Sequence, residues 1–195
     1  MKMGLILFVS AILFAHSASA VNLLKCNKLI CPGCFFGTHD IHTMSSSSMF
    51  PTLNKGDCIT VQLIDGNKAD YGDVVTFRFN DQIYIFRIMA KSGDKIQVRK
   101  GKVFLNEKPL FARDVGKLTI NGRQKFQQEE ISASGKHYFT VNARQSGMGD
   151  NTNAFKVPDG HVFVMGDNRD NANDSRFEVK FLPVSNIRGR LDETK

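Results

Sequence analysis

From Gly56 onward the chain alternates short apolar runs with turn signals, and this alternation limits its possible folds more than any other feature. The runs are rich in Val, Ile, Phe and Thr, as β-strands are, and Gly, Asn and Asp separate them. The expected strands are Cys58–Ile64, Val74–Phe79, Ile83–Ala90, Lys95–Arg99, Lys102–Leu105, Tyr138–Asn142 and His161–Met165. Because few stretches carry apolar residues at helical period, the pattern predicts an all-β fold of coiled antiparallel sheets or a partial barrel.

The chain has 195 residues, of which 42% are hydrophobic and 23% are charged, so it can bury the core of one ordinary domain. This composition excludes a mainly disordered chain. The segment 111–153 is more polar than the rest and includes Gln124–Glu130. We expect it to be an inserted subdomain or a set of long loops.

The formal net charge of +7 is compatible with nucleic acid, an anionic membrane or an acidic protein as partner. The first 39 residues contain no Asp or Glu, and Lys2, Lys25 and Lys28 flank an apolar run there. Elsewhere the basic residues are interspersed with acidic ones. The charge therefore indicates a solvated basic surface, and we expect no nucleic-acid partner.

The first 20 residues have the layout of a secretory signal peptide. Lys2 precedes the apolar stretch Gly4–Ala15, and the segment ends in the small residues Ala-Ser-Ala at 18–20. An uncleaved anchor is the alternative, since Gly4–Leu24 has roughly the ~20 residues that span a bilayer core. In both cases the rest of the chain lies on the far side of a membrane.

The four cysteines are Cys26, Cys31, Cys34 and Cys58, and their even number in an exported chain favours one or two disulfides, with the pairing left open. Cys31 and Cys34 also have the C-x-x-C spacing of redox motifs, without the strand and helix that surround it in thioredoxins. A metal site that includes His39 or His42 lacks the second pair of ligands that zinc sites of this kind have. We therefore expect structural disulfides, no metal and no cofactor.

Two segments carry the residue types of a catalytic site. In the serine-rich stretch Ser45–Leu53, a serine hydroxyl is followed by apolar side chains and by Pro51, which fixes the backbone. The second segment, Gly166–Phe177, is dense in Asp, Asn and Arg, which hold an irregular loop by bonding its backbone and each other. The arginines in this loop argue against a calcium site.

These segments belong to four motifs that occur in the order found in the bacterial type I signal peptidases, and the chain resembles that family over Thr43–Gly189. The first motif is Ser46–Leu53, which contains Ser48-Met49-x-Pro51, and the second is Tyr71–Phe77. The third is Arg87–Asp94, which ends in Gly93-Asp94. The fourth is Gly166–Arg176, which begins with Gly166-Asp167-Asn168-Arg169-Asp170-Asn171. The last motif is the most diagnostic.

The resemblance implies an all-β serine endopeptidase that removes signal peptides from exported preproteins with a Ser/Lys dyad. By position, Ser48 is the expected nucleophile, and its N–H with the Ser46 hydroxyl is the expected oxyanion hole. The residues expected to support the site are Asp174, Arg176, Asp167 and Arg87. The implied partners are preprotein signal peptides and membrane lipids, and the implied location is membrane-associated on the periplasmic or extracytoplasmic side.

The implied organisation has three parts. Residues 1–20 are a signal peptide or membrane anchor, which as an anchor would form an N-terminal hydrophobic helix. Residues 21–42 are a linker that contains cysteines, and residues 43–195 are a signal peptidase-like β domain with the polar insertion near 111–153.

The chain departs from the family at the position of the general base. In the family a Lys directly precedes the Arg that matches Arg87, and this chain has Phe86 there. The family commonly has a Ser that orients that Lys two residues before the match of Asp174, and this chain has Ala172. A ring and a methyl group fill such a space without leaving a polar group unpaired, but neither takes a proton from Ser48.

Lys91, Lys95 and His42 are the candidates for a replacement base. Lys91 lies five positions beyond Phe86 and so faces the other side of a regular strand, and Lys95 lies past a turn. His42 is near Ser48 in sequence, although the family members that use a histidine carry it at the motif position. Three hypotheses follow: an active peptidase, a non-catalytic relative that binds extended peptides by strand addition, and a redox or metal module built on Cys26, Cys31 and Cys34.

Overall fold

The structure is a computed structural model that describes residues 26, 31–120, 122–143, 147 and 149–192. Over these residues it consists almost wholly of β-strands. Its elements are α1 (Pro32–Phe35), β1 (His39–Thr43), β2 (Cys58–Leu63), β3 (Val74–Phe79), β4 (Gln82–Lys91), β5 (Lys95–Arg99), β6 (Lys102–Leu105), β7 (Lys108–Pro109), β8 (Ala112–Ile120), β9 (Arg123–Ile131), β10 (His137–Asn142), β11 (Phe155–Lys156), β12 (His161–Met165), β13 (Leu182–Pro183) and β14 (Ile187–Leu191), with 3₁₀ turns at Gly66–Lys68 and Val184–Asn186.

All seven expected strands are present, and the prediction of an all-β antiparallel fold is confirmed. β3, β5, β6 and β12 have the expected bounds, β2 and β10 differ from expectation by one residue at one end, and β4 is one residue longer at each end. These strands are legible in sequence because buried apolar residues run through them, on one face in β5 and β6 and on both faces in most of β3 and β12.

The strands form three sheets. A seven-stranded sheet has the order β1-β2-β14-β3-β4-β12-β13, a four-stranded sheet the order β11-β5-β6-β7, and a three-stranded sheet the order β10-β9-β8. All strand pairs within them are antiparallel. β12 pairs with β4 only from Arg87 to Lys91, so the first half of β4 pairs with β3 alone among the described strands.

The polar segment 111–153 is not a set of long loops, and that part of the expectation is wrong. It contains β8 and β9, which pair with each other from Ala112–Glu130 to Ile120–Arg123, and β10, which pairs with β9. Most side chains of β8 and β9 are exposed or half-buried, so the strands show no apolar alternation. Backbone pairing over their full length forms the hairpin regardless of this pattern.

β4 carries side chains into two different environments. Phe86 and Ile88 belong to one core cluster, with Phe77 and Met49, whereas Met89 belongs to a second cluster that includes Phe163. Because side chains alternate along a strand, the intervening Arg87 points away from Phe86. This alternation separates the two halves of the site described below.

Two disulfides tie down the start of the described chain. Cys26 is bonded to Cys58 at the start of β2, and Cys31 is bonded to Cys34 across α1. The stretch 21–42, expected as a linker, therefore joins the seven-stranded sheet through both Cys58 and β1. The expected signal peptide or anchor at residues 1–20 lies outside the described residues. Within the described residues, no helix is long and apolar enough to cross a membrane.

Candidate active site

Ser46 and Ser48 lie side by side in the loop between β1 and β2. Their Oγ atoms are 3.0 Å apart, and the backbone N–H of Ser48 points at Ser46 Oγ with an N–O distance of 3.4 Å. Ser48 is half-buried, and the next residue, Met49, is fully buried in the core. Two hydroxyls and a backbone N–H thus converge at a point that the neighbouring core residue holds in place.

The loop that follows β12 clamps this serine loop. Asn168 donates from its backbone N–H to Ser48 O and from its side-chain Nδ2 to Ser47 O, both at 3.0 Å. Two successive carbonyls of the serine loop are therefore fixed by a single residue. Such double anchoring restricts the loop to one conformation, as a preorganised nucleophile requires.

Asp167 makes a buried ion pair with Arg87. The Arg87 guanidinium donates to Asp167 Oδ1 from Nε at 2.9 Å and to Oδ2 from Nη2 at 2.6 Å, and its Nη1 donates to Gly72 O at 2.7 Å. The Thr52 hydroxyl donates to the same carboxylate. Burial lowers the pKa of Arg87, but the charge and hydrogen bonds of Asp167, with a contribution from Tyr138, shift the net pKa upward, so the guanidinium stays charged. This pair joins β4, the serine loop and the loop after β12.

Asp174 and Arg176 stabilise the loop that follows β12. Asp174 is fully buried, and its Oδ2 accepts the N–H of Gly166 at 3.0 Å, while Arg176 Nη2 reaches that oxygen at 2.8 Å. Arg176 also donates to the backbone carbonyl of Arg169 at 2.7 Å. The pair thereby fixes both ends of the segment that carries the residues clamping the serine loop.

A second buried ion pair ties this loop to the β8–β9–β10 sheet. Arg169 Nη2 donates to Glu130 Oε2 at 2.6 Å, and the hydroxyls of Tyr138 and Thr140 donate to the same carboxylate at 3.0 and 3.2 Å. Burial, with a contribution from the Glu130 charge, raises the pKa of Tyr138 well above its ordinary value. Tyr138 therefore remains a neutral hydrogen-bond donor across the physiological pH range.

Lys125 reaches the clamp from the β8–β9 hairpin. Its Nζ donates to Asn168 Oδ1 at 2.9 Å and to Asp170 Oδ2 at 3.2 Å, and the lysine side chain is 12% exposed. The amide whose Nδ2 holds Ser47 is thus itself oriented by a charge on the hairpin. The polar insertion consequently forms part of the support of the site.

Phe86 lies beside the serine loop, on the face of β4 opposite Arg87. It is 3% exposed, and its Cε1 lies 3.5 Å from where a Cβ on Gly166 would be. The same point is 2.4 Å from Ala172 Cβ and 2.7 Å from Ser48 O. Only glycine fits at 166, and the phenyl ring and the alanine methyl fill the space next to the Ser48 backbone.

An open cleft of about 260 Å³ lies in front of Ser48, lined by His42–Ser46, Ser48 and Gln82–Phe86. His42 is the only imidazole, carboxylate or amine among the described residues that line it. Its Nε2 lies 3.6 Å from Asp40 Oδ2, and both side chains are partly exposed. Lys91 and Lys95 instead pair with Asp70 and Glu107.

The structure brings the sequence-derived site residues together around one loop. Ser46, Ser48 and Phe86 line the cleft, and the expected supports lie behind it, namely Arg87, Asp167, Asp174 and Arg176. Sequence reasoning missed the clamping role of Asn168 and the supports Thr52, Lys125, Glu130 and Arg169. Asn168 and Arg169 lie in the motif Gly166–Arg176 and Thr52 lies in the motif Ser46–Leu53, whereas no local pattern marks Lys125 or Glu130. The described residues contain no group of His, Cys, Asp or Glu suited to holding a metal.

Comparisons with known proteins identify the family of this chain. The family model "Signal peptidase, peptidase S26" matches residues 33–194. Signal peptidase I of Rickettsia conorii is 34% identical over 138 residues, which are 64% of this chain and 50% of that protein. Signal peptidase I of Rickettsia canadensis is 34% identical over 130 residues, which are 62% of this chain and 49% of that protein.

The chain thus spans about half the length of the curated relatives it matches. Among solved structures, a signal peptidase I from Enterococcus faecalis V583 aligns with 64% of this chain and 97% of its own, at 20% identity and a TM-score of 0.40. That structural likeness is too weak to carry an argument.

Proposed function

This chain belongs to the peptidase S26 family of signal peptidases, and we propose on that premise that it is a serine endopeptidase that cleaves signal peptides from exported preproteins. The observation that carries the proposal is the Ser46–Ser48 pair, whose loop Asn168 holds through two successive carbonyls. A nucleophile needs such a rigid seat, and an oxyanion needs donors that are already in place when charge develops.

We assign Ser48 as the nucleophile, and we assign its N–H and the Ser46 hydroxyl to the oxyanion. The local geometry supports this assignment, since Ser46 Oγ lies 3.0 Å from Ser48 Oγ and the Ser48 N–H points toward the same Ser46 oxygen. Arg87, Asp167, Asp174 and Arg176 act as positioning residues, because each makes hydrogen bonds within the clamping loop or to it.

We propose that Phe86 occupies the place of the family's base lysine and Ala172 the place of its orienting serine. The ring and the methyl group lie together at Gly166, next to Ser48 O. A buried amine there would need a hydrogen-bond partner, and a phenyl ring needs none. Together the two side chains therefore fill the space without leaving a polar group unpaired, and the proton acceptor is removed.

His42 is the base that we propose for an active enzyme. It lines the same cleft as Ser48, and its Nε2 faces Asp40, which leaves Nδ1 to accept the proton. Imidazole is the side chain that enzymes use most often for this step, and a neighbouring carboxylate stabilises the imidazolium that results.

The cleft also supports binding of an extended peptide. β1 is an edge strand, and the first half of β4 pairs on one side only among the described strands. Residues of both strands line the cleft, so a peptide segment can add as a further strand between them. A relative that binds peptides without cleaving them is the second candidate, and the burial of Phe86 and Ala172 in one apolar core cluster favours it.

We propose that the β domain, from β1 at His39 onward, lies on the extracytoplasmic side of a membrane, and that residues 1–20 either anchor it there or act as a cleaved signal peptide. Membrane lipids and preprotein signal peptides are then the partners. Two disulfides support this location, because disulfides persist in oxidising compartments outside the cytosol.

The test is cleavage of a preprotein by the full chain in detergent micelles, read by mass spectrometry, alongside three variants. The variants are Ser48→Ala, His42→Gln and the matched control His161→Gln, which changes a histidine on β12. Cleavage after a small residue that disappears in Ser48→Ala and His42→Gln but persists in His161→Gln supports the peptidase with His42 as base.

Two other outcomes lead to different conclusions about the base and about the activity. Cleavage that survives His42→Gln but not Ser48→Ala removes His42 as the base and keeps the peptidase. No cleavage by the unmodified chain, where a signal peptidase of known activity cuts the same preprotein, refutes the peptidase. Binding of the signal peptide that is equal in the unmodified chain and Ser48→Ala then supports the second candidate.

A further inference from the structure

We propose that Cys31 and Cys34 form a redox-active disulfide that exchanges with a dithiol partner, a role separate from peptide cleavage. The two cysteines enclose Pro32 and Gly33 and are bonded to each other, with their Cα atoms 5.2 Å apart. C-x-x-C is the spacing that thiol–disulfide oxidoreductases use, because it lets one thiol leave and return without chain movement.

The second disulfide of the chain has a different character. Cys26 and Cys58 are 32 positions apart, and their bond ties the N-terminal segment to β2. The stabilisation that a disulfide gives through the unfolded chain increases with the length of the loop it closes. Cys31 and Cys34, only 3 positions apart, contribute little in this way. The short bond can therefore open while the long one keeps the segment attached.

The turn around Cys31 and Cys34 is held by contacts other than their own bond. Thr38 N donates to Gly33 O at 2.9 Å, and Phe36 N donates to Pro32 O at 3.3 Å. The His39 imidazole lies against Gly33, where an added Cβ would be 2.0 Å from Nδ1. These contacts keep the two thiols close after reduction, as rapid re-formation of the bond requires.

The surroundings of the two sulfurs define the direction of exchange. Cys31 is 9% exposed and its Sγ accepts the N–H of Cys34 at 3.1 Å, whereas Cys34 is half-buried. An incoming thiolate thus has better access to Cys34. A thiolate leaving at Cys31 keeps a hydrogen bond that stabilises its charge, and a stabilised leaving thiolate departs faster.

The exchange then proceeds in two balanced steps. A partner thiolate attacks Cys34 Sγ, the S–S bond breaks, and Cys31 leaves as a thiolate. The partner's second thiol loses its proton and attacks the partner sulfur of the mixed disulfide, releasing Cys34. The partner ends as a disulfide, having given two electrons, and its two protons pass to Cys31 and Cys34.

The test follows both disulfides of the full chain in detergent micelles during reduction by dithiothreitol. Samples are quenched with acid at increasing times, alkylated and peptide-mapped by mass spectrometry, so that each cysteine pair is read separately. We expect Cys31–Cys34 to open at least about tenfold faster than Cys26–Cys58, and to re-form when oxidised glutathione replaces the reductant. Equal rates, faster opening of Cys26–Cys58, or failure to re-form overturns the proposal.

A matched pair of variants tests the assignment of the two sulfurs. Cys31→Ser leaves the Cys34 thiol, and Cys34→Ser leaves the Cys31 thiol. With oxidised glutathione, the mixed disulfide is expected to accumulate faster in Cys31→Ser because Cys34 is the accessible sulfur. The reverse order, or equal rates, refutes the direction of exchange. The time course on the unmodified chain stands without these variants if either fails to fold.

Discussion

Replacing Phe86 by lysine together with Ala172 by serine is expected to raise the rate of preprotein cleavage. The change adds an amine beside the Ser48 backbone and a hydroxyl that can orient it, at the point where Phe86 Cε1, Ala172 Cβ and Ser48 O approach Gly166. Burial penalises the charged form of the introduced amine, so its pKa falls below the ordinary lysine value and part of it is free to accept a proton.

The structure sets the size of both effects. Phe86 is 3% exposed and its ring centroid lies 6.0 Å from that of Phe77 and 6.1 Å from that of Tyr84. Losing these pairs, each worth about 0.5–1.5 kcal/mol, and burying an amine lowers the free energy of unfolding by about 3 kcal/mol in Phe86→Lys. The added hydroxyl in the double variant returns about 1 kcal/mol. A positioned general base contributes roughly 10²- to 10⁴-fold in rate.

The assay combines urea unfolding, which shows that each variant is folded, with initial rates of cleavage. Phe86→Met is the matched control, since it shortens the ring to a flexible apolar chain and adds no base. Adding Ser48→Ala to the double variant should abolish the gained activity. A folded double variant that cleaves no faster than Phe86→Met, where a signal peptidase of known activity cleaves the substrate, would falsify the placement of Phe86 at the base position.

Three further outcomes follow from the contacts around the site. Asp167→Asn leaves the buried Arg87 guanidinium without its carboxylate, and we expect a loss of about 3–5 kcal/mol in urea unfolding; a loss below about 1 kcal/mol would contradict the role given to this pair. Burial, with a hydrogen bond to Asp94, raises the pKa of Tyr71 to about 12. As the pH rises, this tyrosine therefore ionises first in the unfolded chain, and the free energy of unfolding should fall between about pH 10 and about pH 12. Tyr71→Phe should reduce that slope, and an unchanged slope would show that the group does not contribute. Lys125→Met removes the charge that orients the clamping amide, and we expect slower cleavage or weaker peptide binding with a smaller loss of stability, of about 1–2 kcal/mol, than Asp167→Asn shows.

The parts of the fold that sequence predicts are the strands that carry buried apolar residues. β3 and β12 were legible because buried apolar residues run through them, with turn residues at both ends. The β8–β9 hairpin was not legible as strands, because its side chains are mostly polar and exposed or half-buried. Its turn signal at 121–122 was present, but a turn does not specify the length of the strands beside it.

The residues of the site likewise divide into those that the sequence singles out and those that it does not. Ser46, Ser48, Asp167 and Asp174 could be singled out as candidates because they stand in short motifs that the chain shares with the family. The contact of Lys125 with Asn168 joins residues 43 positions apart, and no spacing in the sequence announces it. Long-range contacts of this kind depend on how the sheets pack, so the structure was needed to assign the polar insertion to the support of the site.

On the proposed placement of Phe86 at the base position, the serine loop can keep its structure without a lysine there, and the alternation of β4 explains why. Phe86 and Arg87 are neighbours in sequence but face opposite sides of the strand, Phe86 toward Gly166 and Arg87 toward Asp167. The contacts that clamp the serine loop run through Arg87, Asp167 and Asn168, and none of them involves Phe86. A change at position 86 can therefore remove or restore proton transfer while the clamp holds Ser48 in place.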